Sequence, residues 1–342
     1  MLRIEGLTKE LGSFKLDSIS FEVEPGDYFV LLGESGAGKT VILEMISGLL
    51  PPDAGTVRMD GKDITHDRIQ SRGIGLVYQD HALFPHMSVR KNIAYPIRDK
   101  STSVEALAEM VGATDLLDRD PTTLSLGESQ RVALARTLAT KPRILMLDEP
   151  LASLDIKAKA AIRSLLRRLN ADGQTIIHVT HDYEEALALA SKVAVLEATS
   201  ICQIGTPDEV FHHPKSSFIA NFVGIKNFFH GELAACEGVA TFRTQGVEFT
   251  VSTDAPTGRG AVIFESKDVT LSPDEPHGSA RNCFQGTIVD VEPIHLGFEV
   301  CVDIGVHLYA SVTKASMDQM ELRNGKPVWI GFKSTAVRYI EE

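Results

Sequence analysis

Lys39 and Thr40 close the run Gly33-Glu34-Ser35-Gly36-Ala37-Gly38-Lys39-Thr40, a glycine-rich stretch of the kind that wraps phosphate. Glycines permit the turn and let successive backbone N–H groups approach phosphate oxygens. A lysine at its end reaches β- and γ-phosphates, and a threonine hydroxyl offers a ligand to Mg²⁺. Much later in the chain, Asp148-Glu149 closes the apolar run Ile144-Leu145-Met146-Leu147. An aspartate at a sheet's C-terminal edge can hold Mg²⁺ through water. The glutamate beside it, on the other side of the pleat, can orient or deprotonate the attacking water. Together these residues point to hydrolysis of a nucleoside triphosphate.

Such groups act only where elements hold them. Tyr28-Phe29-Val30-Leu31-Leu32 precedes the glycine run, and residues 41–46 follow it with apolar side chains at helical spacing. A strand therefore enters the turn and a helix leaves it, aiming free amides and the positive end of its dipole at the same anion. Before this, residues 2–30 alternate weakly and predict short strands and a hairpin leading into the central strand, with a turn at Pro25-Gly26-Asp27. Ile74-Gly75-Leu76-Val77-Tyr78 predicts a buried strand ending at Gln79, and residues 88–140 are helical in texture. Further on, a helix is predicted from Ile156 to Asn170, a strand over Thr175-Ile176-Ile177-His178-Val179-Thr180, and a helix over 182–191. Strands alternating with helices predict a mostly parallel α/β sheet covered on both faces. Near residue 225 short strands between turns take over. A small all-β barrel is expected at 227–342, joined through residues 206–224 to a domain at 1–226.

The 342 residues, 43% hydrophobic and 23% charged, are ample for two cores. A net charge of −12 gives the whole chain no electrostatic reason to seek nucleic acid or an anionic membrane. No apolar stretch is long enough to span a bilayer, and Met1-Leu2-Arg3-Ile4-Glu5-Gly6 lacks the apolar core of a signal peptide. Cys202, Cys236, Cys283 and Cys301 are widely spaced, as expected of reduced structural thiols in a cytoplasmic protein.

Leu124-Ser125-Leu126-Gly127-Glu128-Ser129-Gln130 precedes a helix and by itself reads as an N-cap serine. Its place in the order of motifs makes it more. Over roughly residues 1–224 the chain resembles the nucleotide-binding subunits of ABC transporters. Residues 33–40 match Walker A, Gln79 the Q-loop, and residues 124–128 the signature. Residues 144–149 match Walker B, Ser153-Leu154-Asp155 the D-loop, and His181 the H-loop. The resemblance implies an ABC-type P-loop ATPase with antiparallel and helical subdomains, using ATP and Mg²⁺. Two subunits would sandwich two ATP molecules, so that Ser125 and the Gly127 amide meet the γ-phosphate held by the partner's Lys39. Gln79 would touch Mg²⁺ or the lytic water, and His181 the γ-phosphate. The resemblance also implies two membrane-spanning permeases, an extracytoplasmic anion-binding protein and a peripheral place on the membrane's cytoplasmic face. Leu126 stands where the signature usually has a glycine, which requires a negative φ there. The aromatic that usually stacks on adenine falls at Leu11, with Phe14 the nearby ring that can substitute.

The second domain bears on the substrate. Ser279-Ala280-Arg281-Asn282 and Val312-Thr313-Lys314-Ala315-Ser316 resemble segments of the molybdate-binding Mop domain, over about 279–340. This OB/Mop-like barrel implies a cytoplasmic oxyanion sensor, with Ser279, Ala280, Arg281, Asn282, Lys314 and Ser316 as its residues and molybdate or tungstate as regulatory ligand. Residues 227–342 carry nine basic and sixteen acidic side chains, a net −7. A dianion would thus need preorganised amides and hydroxyls rather than net attraction. A molybdate/tungstate importer ATPase is the reading preferred. An importer of sulfate, iron or a sugar with a merely structural barrel is the alternative. A soluble ATPase of repair or translation would call for a second cassette or a basic face, and the sequence has neither.

Overall fold

The computed structural model describes residues 1–99, 102–236, 239–276 and 278–341. The alternation at the start resolves into two ten-residue antiparallel strands, β1 (Leu2–Leu11) and β2 (Phe14–Val23), rather than several short ones. Two register shifts around Leu7 keep Ile4, Leu7, Ile19 and Phe21 all buried. The chain continues through β3 (Tyr28–Gly33), α1 (Lys39–Ser47), β4 (Ala54–Met59), β5 (Lys62–Asp63) and β6 (Ile74–Val77). Helices α2 (Val89–Ala94), α3 (Val104–Val111) and α4 (Leu126–Leu138) intervene before β7 (Ile144–Asp148). Then come α5 (Ile156–Ala171), β8 (Thr175–Thr180), α6 (Tyr183–Leu189), β9 (Lys192–Glu197), β10 (Ser200–Gly205) and α7 (Pro207–His212).

Among the described residues β10, β9, β3, β8, β7 and β6 form one sheet in that order, parallel from β9 to β6. Strands β2, β1, β4 and β5 make a separate antiparallel sheet. β3 lies inside the parallel sheet and every one of its residues is buried, which is why its sequence is a continuous apolar run. Leu32 pairs with Thr180 and Asp148 with Val179, so β3, β7 and β8 end side by side. Loops leaving the C-terminal ends of adjacent parallel strands are where α/β sheets bind ligands. The other end of α1 is held by the buried Arg72 guanidinium. It donates to the carbonyls of Met45 (3.1 Å), Ile46 (2.8 Å), Thr65 (2.6 Å) and Asp67 (3.1 Å), placing a cation at the helix's negative end.

The chain divides into two compact units, Met1–His212 and His213–Glu342. The division falls ahead of residue 227 because Ala220, in α8 (Ser217–Phe222), and Ile225 pack with Ile263. The second unit contains β11 (Asn227–Cys236), β12 (Val239–Thr244), β13 (Val247–Val251), β14 (Gly258–Phe264), β15 (Thr270–Ser272) and β16 (Asn282–Ile294). It ends with β17 (Gly297–Asp303), β18 (His307–Val312), α9 (Lys314–Met320), β19 (Pro327–Phe332) and β20 (Arg338–Glu341). Its strands form antiparallel sheets ordered β13-β12-β11-β14-β20 and β15-β19-β16-β17-β18, the all-β, OB-like architecture expected. One apolar core joins them. Phe264 stacks on Phe332 at 4.6 Å between centroids, and Phe249 meets Phe229, Phe264, Phe284 and Phe332 edge-on. Burying each of the enclosed rings Phe249, Phe264 and Phe332 contributes about 1.5–3 kcal/mol. Among the described residues Cys202, Cys283 and Cys301 form no disulfide, and the side chain of Cys236 lies outside the described residues. Among the described residues no helix is long and apolar enough to cross a membrane.

Candidate functional site

Gly38, with φ 100°, caps α1 without any side-chain hydrogen bond, so the first amides of α1 are left for another partner. A Cβ at this position would stand 2.6 Å from Phe14 Cζ, so the turn needs glycine for space as well as for φ. Lys39 follows, 6% exposed, and its Nζ donates to the carbonyls of Gly33 and Glu34, both at 2.8 Å. Burial pushes its pKa below that of an ordinary lysine, partly offset by Glu149, whose carboxylate is 3.9 Å away. An anion entering the loop would satisfy this ammonium.

Thr40 Oγ1 donates to Asp148 Oδ2 at 2.8 Å, joining residues far apart in sequence. Asp148 Oδ1 is buried with no hydrogen-bond partner, and burial holds the carboxyl above the usual aspartate range. A buried orphan carboxylate oxygen next to a hydroxyl fits a divalent cation, which would supply the missing partner. Glu149 occupies the left-handed region at φ 49°, its N–H donating to Val179 O at 2.9 Å. Its carboxylate meets His181 Nδ1 at 2.7–2.9 Å. Ser35, Gly36, Gly38, Lys39, Thr40, Gln79, Asp148 and Glu149 line one cleft of about 460 Å³, with Leu11 and Phe14 at its apolar end. Glycine-loop amides, an ammonium, two carboxylates and an imidazole are thus gathered where a triphosphate can be bound and water activated. Gly33, Glu34 and Ala37 complete the loop, with Ala37 buried.

Ser125, Gly127 and Asp155 stand apart from the lining of that cleft. Ser125 caps α4 in a reciprocal capping box, accepting from Glu128 N–H at 3.3 Å while its own N–H donates to Glu128 Oε2 at 2.7 Å. Leu126 is the first helical residue, is exposed and does not have a positive φ, so a side chain there costs no backbone strain. A Cβ at Gly127 would lie 3.0 Å from Ala158 Cβ, so the packing of α4 on α5 favours a glycine there. Asp155 caps α5 by accepting from Ala158 N–H at 2.9 Å.

In the second unit the two Mop-like segments lie at opposite ends of β16. Asn282 opens that strand, whereas Thr313 follows Val312, which pairs with Phe298 next to the β16–β17 turn. Asn282 is 1% exposed and its amide is consumed by Thr250, accepting from the N–H at 2.7 Å and donating to the carbonyl at 2.9 Å. Its role here is to pin β16 to β13. Ser279, Arg281 and Lys314 are exposed and Ala280 is half-buried, while Ser316 N–H donates to the Thr313 cap of α9.

Sequence reasoning missed Arg136. From α4 it donates to the carbonyls of His81 (2.9 Å) and Ala82 (2.8 Å), two left-handed residues just past Gln79, and stacks over Phe84. Nothing in the local sequence pairs an arginine with carbonyls so distant along the chain.

The ABC transporter family model matches residues 16–152, and the TOBE domain model matches residues 278–339. The molybdate/tungstate import ATP-binding protein WtpC of Pyrococcus horikoshii is 37% identical, covering 98% of this chain and 99% of the relative. The chain belongs to the ABC transporter ATP-binding proteins. The sulfate/thiosulfate import ATP-binding protein CysA of Thermosynechococcus vestitus is 35% identical over 96% of this chain and 95% of its own. Among solved structures, a nucleotide-free ATP-binding cassette from an ABC transporter aligns with a TM-score of 0.58 at 26% identity, covering 64% of this chain and 98% of its own. This ATP-binding subunit is therefore an ATPase coupled to import, acting with membrane permeases. Phe14 lines the phosphate cleft, and stacking of the base on its ring is open to test. Phe14→Ala is expected to raise KM for ATP about tenfold with kcat nearly unchanged, as loss of one stacking contact predicts. Steady-state ATP turnover checks it, and an unchanged KM would move adenine away from Phe14.

Proposed function

We propose that two copies of this chain close over two ATP molecules and power uptake of molybdate or tungstate. They do so through two permeases fed by an extracytoplasmic anion-binding protein, and sit peripherally on the cytoplasmic face of the membrane. The observation that carries the reading is the single cleft holding Lys39, Thr40, Asp148, Glu149 and Gln79 in a chain similar end to end to a molybdate/tungstate import ATPase. Lys39 and the loop amides bind the phosphates. Thr40, Asp148 and Gln79 would hold Mg²⁺, which neutralises charge on the phosphoryl oxygens. Glu149 takes a proton from the attacking water, and His181 holds both that carboxylate and the γ-phosphate side of the cleft. Ser125 and Gly127 act on the partner's nucleotide, which is supported by their standing outside the cleft of their own chain. Asp155, capping α5, helps form the same junction.

The second unit senses cytoplasmic oxyanion through Ser279, Ala280, Arg281, Lys314 and Ser316. Because the two segments sit at opposite ends of β16, a site needs one segment from each of two barrels. Anion bound there favours one arrangement of the pair and lowers ATP turnover. The similarity to a sulfate/thiosulfate import ATPase over nearly the whole chain favours one second reading, a sulfate importer with a structural barrel. The assembled transporter in vesicles distinguishes them. Uptake of molybdate and tungstate is expected to exceed that of sulfate by about tenfold or more, and molybdate on the ATPase side to suppress turnover. Preference for sulfate would establish the second reading. Absence of molybdate, tungstate and sulfate binding at millimolar concentration would remove the sensor.

A further inference from the structure

We propose that Glu185 is a positioning residue for ATP turnover: its buried carboxylate locks the loop carrying His181 to the helix capped by Asp155. The proposal rests on the role of His181 given above. Glu185 projects from α6 and is 2% exposed. Thr180 Oγ1 donates to its Oε2 at 2.8 Å, and Lys159 Nζ, from the first turn of α5, lies 3.7 Å from its Oε1. His178 Nε2 stands 3.4 Å from Oε2 without hydrogen-bond alignment, and His178 Nδ1 meets the buried Tyr28 hydroxyl at 3.0 Å. The carboxylate thus ties β8 to α5, with His178, which meets Tyr28 of the strand entering the phosphate loop, lying beside it.

The consequence falls on the residues flanking His181. Thr180 uses its hydroxyl twice, donating to Glu185 and accepting from Asp182 N–H at 3.1 Å. Asp182 Oδ2 lies 3.9 Å from the same Lys159. The His181 side chain is 53% exposed, with Glu149 its hydrogen-bond partner among the described residues. Its aim is therefore set by the backbone at 180–182, and that backbone is fixed from beneath by Glu185. Lys159 lies one turn beyond the Asp155 cap, so the same carboxylate fixes the start of α5. For stability alone an apolar side chain of similar volume would serve as well, since burying a carboxylate is costly even when paired.

The test compares Glu185→Ala, Glu185→Gln, Thr180→Val and His181→Ala in the full chain assembled with its permeases. Glu185→Ala is expected to lower kcat about tenfold or more with KM for ATP within about twofold, the signature of a misplaced catalytic group. Glu185→Gln, which still accepts from Thr180, is expected to recover most of that loss. Thr180→Val, which cuts the link without removing the charge, is expected to reproduce it and serves if Glu185→Ala does not fold. Lower thermal stability with normal kcat per folded molecule in Glu185→Ala, or in Thr180→Val where the former is unfolded, would overturn the proposal. His181→Ala keeps the two claims apart. If it turns over normally, the role of His181 fails. If it is inactive while the Glu185 and Thr180 variants are normal, only the lock fails.

Discussion

Glu149→Gln is expected to bind ATP and to hydrolyse it about 10²–10³-fold more slowly, leaving a persistent ATP-bound dimer. The amide matches the carboxylate in size and can still meet His181 Nδ1, so the cleft should keep its shape. What it cannot do is take a proton from water. The backbone should not relax to compensate, because residue 149 is held at φ 49° by its N–H bond to Val179 and by the end of β7. Burial adds to the effect: the Glu149 side chain is 14% exposed and faces Lys39 at 3.9 Å, so bulk water is a poor substitute base. ATP turnover by the assembled transporter, with size-exclusion of the isolated subunit in ATP, measures both halves. Wild-type turnover would remove Glu149 from the reaction.

Lys39→Ala is expected to abolish detectable hydrolysis, a loss of about 10³-fold or more, and to weaken ATP binding as well. Two consequences act together. The phosphates lose the buried ammonium that neutralises them, and Glu149 loses the cation 3.9 Å from its carboxylate. The carbonyls of Gly33 and Glu34 also lose their donor, which loosens the loop before any nucleotide arrives. Unlike Glu149→Gln, this variant should form no ATP-dependent dimer. Circular dichroism guards against global unfolding, and a folded Lys39→Ala that turns over ATP would refute the phosphate-loop assignment.

What could be read from the chain alone was whatever depends on neighbours in sequence. Residues 28–46 announce strand, turn and helix because glycine φ, apolar runs and helical spacing are local properties. The Asp148-Glu149 step and the Ser125 cap were legible for the same reason. Tertiary structure decided what depends on register between distant strands. It set Thr40 against Asp148, left Asp148 Oδ1 without a partner, and packed the Phe14 ring against Gly38 with Leu11 in the same cleft. It spent Asn282 on Thr250 and put the two Mop-like segments at opposite ends of a strand whose full length no turn signal marked. It also built the Glu185 network from four elements, β3, α5, β8 and α6, whose sequences carry no shared motif. A residue's type and its near neighbours fix what it can do, but a buried carboxylate acquires its partners only when sheet pairing and helix packing select them, and those choices are made by the whole core at once.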